Sequence, residues 1–126
     1  MTNVETQSLA QRFFDAIEAG DAEAALACYA PGAEIWHNTD SLTQDVAANG
    51  RTLRWLIGAT TTRRYLERRL EVFDGGFLQQ HVLEAEREGY PTLRLPACLV
   101  CRVEGGRITR LDEYFDSRAL DAWTAQ

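Results

Sequence analysis

Two histidines and one glutamate in this 126-residue chain have side chains suited to proton chemistry. An imidazole titrates near neutrality, so His37 and His81 are candidates for general acid or base work. Glu113 is a candidate because of where it falls. Leu93, Leu95, Ala97, Leu99, Cys101 and Val103 alternate with Arg94, Pro96, Cys98, Val100 and Arg102, the period of a strand with one buried face. A second run, Arg107 to Asp116, follows the turn signal Glu104-Gly105-Gly106. A two-residue turn would set Leu99 opposite Asp112. A three-residue loop sets Leu99 opposite Leu111, Ala97 opposite Glu113 and Leu95 opposite Phe115, and is preferred because Leu111 and Phe115 then share the apolar face. Glu113 comes with them. A carboxylate in such surroundings is expected to have its pKa raised by desolvation, a useful condition for acid–base work.

Other chemistries are weaker. All 13 basic residues are Arg, and the absence of Lys removes Schiff-base chemistry and a Walker-type phosphate loop. Cys98 and Cys101 have a metal-like spacing, but on a strand they point to opposite faces. Three cysteines, an odd number, fit a reducing compartment better than a disulfide framework. Two histidines and a carboxylate could form a metal set, yet nothing in the spacing of His37, His81 and Glu113 demands one, and no metal or cofactor is expected. A net charge of -6 argues against nucleic acid or an anionic membrane as the main partner. The polar start of the chain does not read as a signal peptide, no run approaches a membrane span, and the simplest location is cytoplasmic.

The elements that must position these residues follow from periodicity. Thr6 to Ala19 has the apolar spacing of a helix closed by Gly20, and Asp21 caps a second helix running to about Tyr29. Ala33 to His37 reads as a short strand with Ala33, Ile35 and His37 on one face and Glu34 and Trp36 on the other. Asp40 or Ser41 is the expected cap of a third helix over Thr43 to Ala59. Arg63 to Phe73 and Phe77 to Arg87 read as a hairpin about Asp74-Gly75-Gly76. There Arg69 faces His81 and Glu71 faces Gln79, while Leu66, Leu70, Val72, Leu78 and Val82 share the other face. The Arg63-Arg64 and Arg68-Arg69 pairs read as a solvated strand face. Ser117 caps a short terminal helix. A single domain, residues 1–126, is expected.

The stretch Phe13-Phe14-Asp15-Ala16-Ile17-Glu18-Ala19-Gly20-Asp21, the strand Ala33 to His37, the two x-Gly-Gly hairpins and the closing Glu113-Tyr114-Phe115-Asp116 resemble the nuclear transport factor 2-like superfamily. Within it the chain is similar to SnoaL-like proteins, a group named after a polyketide cyclase. The resemblance implies an α+β, cystatin-like fold: a cone-shaped roll of three N-terminal helices on a curved, mostly antiparallel sheet. Ketosteroid isomerases share it, and their general base would fall at His37. Their oxyanion acid and tyrosine would fall near Leu95 or Leu99 and near Phe13, where neither polar group is present. Limonene-epoxide hydrolases place a carboxylate where Glu113 stands, but their Arg and Asp would fall around Gln79, His81 and Leu83.

The expected function is therefore SnoaL-like acid–base chemistry of cyclase, isomerase or hydrolase type, without a cofactor, on a hydrophobic oxygen-bearing small molecule. His37, His81 and Glu113 are the catalytic candidates. Phe13, Ile17, Trp36, Trp55, Gln79, Leu95, Ala97, Leu99 and Phe115 are expected to line the pocket. A homodimer through the outer sheet face is expected, and a non-catalytic binding or dimerisation domain is the alternative.

Overall fold

The structure is a computed structural model that describes residues 2–124. In chain order it comprises α1 (Asn3–Ala19), α2 (Ala22–Leu26), β1 (Tyr29–His37), β2 (Thr43–Gln44), α3 (Val46–Ala59), β3 (Thr62–Phe73), β4 (Gly76–Glu86), β5 (Leu93–Glu104), β6 (Arg107–Phe115) and α4 (Ser117–Thr124). The six strands form one mixed sheet in the order β2-β1-β6-β5-β4-β3, with β1 and β6 parallel and the other neighbours antiparallel. The architecture is α+β. No described helix is long and apolar enough to cross a membrane.

The helices start and stop on local chemistry. Thr2 caps α1 by accepting from the Glu5 amide at 3.1 Å, and Asp21 caps α2 through the Ala24 amide. The cap of α3 is Asp45, which accepts from Ala48 at 2.8 Å, rather than Asp40 or Ser41. The second helix is shorter than its sequence suggests, and Tyr29 already belongs to β1. Pro31 is tolerated there because the ladder to β6 skips from Tyr29 to Glu34, so no N–H is required of it.

Arg63 is buried rather than solvated. Its Nε donates to Ile17 O at 3.0 Å and its Nη1 to Thr60 O at 3.2 Å, to Ile57 O and to Thr60 Oγ1. A fixed cation thus satisfies carbonyls at the C-terminal ends of α1 and α3, where helix dipoles favour positive charge.

Both hairpin registers differ from expectation. Gly105 and Gly106, at φ 59° and 81°, make a two-residue turn that pairs Glu104 with Arg107. A bulge past Arg102 and Val103 then shifts the ladder, so Leu99 opposes Glu113 and Ala97 opposes Phe115. The shift from the expected pairing is two residues, which preserves facing. In the β3–β4 hairpin the shift does not. Asp74 and Gly75 make a two-residue turn that pairs Phe73 with Gly76, which sets Arg69 opposite Gln80 and Leu70 opposite Gln79. A bulge between Leu66 and Arg69, with Glu67 at φ 54°, then leaves Leu66 opposite Val82. Leu70 and Val72 therefore pack against the main core and Arg69 is not opposite His81.

The main core joins α1 to the inner sheet face, with Phe14, Phe77, Ile35, Ile108 and Cys101 fully buried. A smaller cluster of Ala85, Leu93, Leu95 and Trp123 lies under α4. Between the two is an open space.

Candidate functional site

β1 ends on His37, and the parallel register with β6 sets His37 beside Glu113. Their side chains meet, His37 Nε2 to Glu113 Oε1, at 3.1 Å. The pair is partly buried, with the side chains 18% and 22% exposed. Glu113 is thus not a stranded carboxylate, because the imidazole partners it. The hydrogen bond to Glu113 raises the His37 pKa, and burial opposes it less strongly. The charges of Glu113 and Asp40 raise it further.

Asn38 fixes this geometry. Its amide donates to Glu113 O at 3.0 Å, and its side chain accepts from Phe115 N at 3.0 Å and donates to Phe115 O at 3.1 Å. A side chain here continues the ladder past the last residue of β1.

The pair lies on the wall of a cavity of about 360 Å³. Of the expected lining residues, Phe13, Ile17, Trp55, Leu95, Leu99 and Phe115 do line it. Trp36 does not: one position out of phase with Ile35 and His37, it packs on Tyr114, ring centroids 5.4 Å apart. Ala97 is absorbed into the main core. Gln79, 2% exposed, donates from Nε2 to His81 Nδ1 at 2.9 Å.

His81 is 5% exposed, against the rings of Phe14 and Tyr65 at 5.5 and 4.4 Å. Desolvation lowers its pKa to about 4, with the Arg68 charge helping and the Glu113 charge opposing. His37 and Glu113 are therefore together at the cavity, and His81 sits behind its wall. Among the described residues no three His, Cys, Asp or Glu side chains converge as a metal site.

The sequence pattern did not single out several polar lining groups: Thr39, Asp40, Gln44, Asn49, Thr52 and Tyr65. A signal existed for two of them. Asn49 and Thr52 are three apart on a helix and share a face near the apolar Leu53 and Leu56. Tyr65 and Tyr29 are phenols whose pKa burial raises, so both remain protonated donors at neutral pH.

The SnoaL-like domain family model matches residues 10–111. No curated protein matches the chain. Among solved structures, a candidate polyketide cyclase from Xanthomonas campestris pv. campestris is similar at 23% identity and TM-score 0.79, over 99% of this chain and 98% of that one. A protein from Catenulispora acidiphila with a ketosteroid isomerase-like fold, solved with trimethylamine, aligns at 12% identity and TM-score 0.80, covering 95% of this chain and 94% of that one. An epoxide hydrolase of the LEH-like type from M. tuberculosis aligns at 17% identity and TM-score 0.78, with 97% and 93% covered. At these identities the likeness concerns the fold.

Proposed function

Because the chain belongs to the SnoaL-like domain family, we propose that it is a small-molecule enzyme. It acts by acid–base chemistry on a hydrophobic, oxygen-bearing substrate in a conical pocket, without a cofactor. One observation carries this reading: a carboxylate–imidazole pair at 3.1 Å on the wall of a ligand-sized and largely apolar cavity.

The step common to cyclase, isomerase and hydrolase chemistry is a proton moved from carbon or water and returned. Glu113 accepts that proton while the His37 imidazolium, donating from Nε2, holds the developing acid in place. The same pair returns the proton to product. Tyr65 is a protonated phenol on the cavity wall, and its hydroxyl has no protein acceptor among the described residues. It is available to donate to the substrate oxygen on which negative charge grows. His81 acts from behind, by fixing Gln79 and the Tyr65 ring. The outer sheet face, with Trp36 against the half-exposed Tyr114, is the proposed homodimer contact.

The test is exchange of the acetyl protons of 4′-ethylacetophenone in D2O, followed by NMR, with opening of styrene oxide assayed in parallel. Wild type is expected to catalyse at least one of these above buffer. Glu113→Gln should lose about 10²-fold or more of that rate and His37→Gln somewhat less, with ligand binding retained. A protein that binds these compounds and turns over neither supports the non-catalytic binding domain instead. That alternative draws on the Asn38 clamp, since a locked ion pair also serves a rigid binding wall.

A further inference from the structure

One wall of the cavity carries polar groups that the acid–base step does not use. Tyr29 Oη donates to Asn49 Oδ1 at 3.1 Å, and Asn49 Nδ2 donates to Gln44 Oε1 at 3.3 Å. Gln44 Nε2 donates to Thr52 Oγ1 at 3.3 Å, and Thr52 Oγ1 donates to Ala48 O at 3.4 Å. The chain runs one way, from a buried phenol to a helix carbonyl, and all four side chains line the cavity. Each amide has two N–H groups and spends one in this chain. Among the described residues the second N–H of Asn49 and that of Gln44 have no protein acceptor.

The wall also has a place relative to the reacting pair. Gln44 pairs with Ile35 across β1–β2, and His37 is two residues further along the same face of β1. That offset is roughly 7 Å of strand, about the span between substituents at opposite ends of a six-membered ring.

Charge narrows the class of group that belongs there. No Arg lines the cavity among the described residues, and the chain has no Lys. The lining carboxylates are Asp40 and Glu113. The His37 imidazolium is already paired with Glu113, so an anionic substituent at the amide wall would meet like charge without a free counter-ion, at a cost in low-dielectric surroundings.

We propose that Gln44 and Asn49 form a specificity subsite for a second, uncharged oxygen on the substrate, across a ring from the oxygen activated at His37–Glu113. This rests on the reading of the cavity as a substrate site. It names the substrate class as a lipophilic ring compound with two neutral oxygen functions, one accepting from the free amide N–H groups.

Three ligands of nearly one shape test this by calorimetry or saturation-transfer NMR: 4′-ethylacetophenone, 4′-(hydroxymethyl)acetophenone and 4-acetylbenzoate. Replacing the terminal methyl by hydroxyl removes apolar burial and by itself weakens binding roughly fourfold. The hydroxymethyl compound is nevertheless expected to bind at least as tightly as the ethyl compound, and 4-acetylbenzoate about tenfold more weakly or worse. In Gln44→Met the hydroxymethyl compound should lose up to about tenfold, while the ethyl compound, which makes no hydrogen bond there, binds as tightly or more tightly and shows that the cavity is intact. Tighter binding of the ethyl than of the hydroxymethyl compound to the wild type, or a hydroxymethyl affinity indifferent to Gln44→Met, overturns the subsite and leaves the cavity reading standing. Carboxylate binding equal to the alcohol overturns the neutral-oxygen assignment. Failure of all three to bind overturns both the subsite and the reading beneath it.

Discussion

His37 and His81 point to the inner face of one sheet, yet their surroundings drive their protons in opposite directions. His37 is a partly exposed ring at a strand end, bonded to a carboxylate, and its pKa is raised. His81 is a buried ring at a strand centre, bonded to a neutral amide, and its pKa falls to about 4. Residue type set the same starting point for both. A partner that stabilises the imidazolium, set against burial that removes water from it, decides which way each moves. The first histidine is biased toward its protonated form and donates to Glu113. The second stays neutral and serves as packing with one accepting nitrogen.

The two shifts make opposite contributions to stability. The unfolded chain binds a proton at His81 below about 6.5, whereas the folded chain resists doing so until about 4. Stability from this residue is therefore complete above about pH 6.5 and declines as pH falls toward 4, by about 3 kcal/mol in all. His37 works the other way: its contribution is present below about pH 6.5 and is lost as pH rises through its raised folded pKa.

The largest effect expected from breaking this contrast is on acid stability. The double variant Gln79→Leu/His81→Phe replaces both partners of a buried bond with apolar groups, which is close to neutral near pH 7. Denaturant unfolding between pH 4 and 7 should then show a flatter pH dependence, by most of that 3 kcal/mol. An unchanged slope would place the acid sensitivity elsewhere. The next effect is electrostatic. In Glu113→Gln, NMR titration should find the His37 pKa below its ordinary value, because desolvation remains when the hydrogen bond and charge are gone. His81 should move down too, and less, since it loses only a through-space charge. Immobility of both would show that Glu113 is not coupled to either ring. Asp40→Asn is the smallest test. It should lower the His37 pKa by less than Glu113→Gln does, Asp40 being the last of the causes that raise it, and leave His81 in place.

Facing proved more legible in the sequence than register. Alternation placed Leu95, Leu99, Leu111, Glu113 and Phe115 on one face, and a tighter turn and a one-residue bulge that together moved the β5–β6 pairing by two residues could not disturb that. In β3 the two-residue turn at Asp74-Gly75 brought Leu70 and Val72 inward and sent Arg69 out, and the bulge at Glu67 broke their phase with Leu66. A charged strand with sparse apolar residues carries little signal about where its phase breaks. The same limit separates the two histidines. The alternation put His37 on the inner face with Ile35, but nothing local to His81 shows that α1 covers it with Phe14 while α3 leaves space in front of His37.

By itself the sequence determined the α+β class, most element boundaries and the inward facing of His37 and Glu113, because periodicity and turn chemistry are local properties of the chain. Tertiary structure decided which polar groups meet. The His37–Glu113 pair depends on a parallel contact between β1 and β6, two strands far apart in sequence. The seclusion of His81 depends on a helix laid across the sheet, and the amide wall on α3 standing beside β2. Burial and partnership are set by what is packed opposite, so the chemistry of each side chain emerged only when the elements closed on one another.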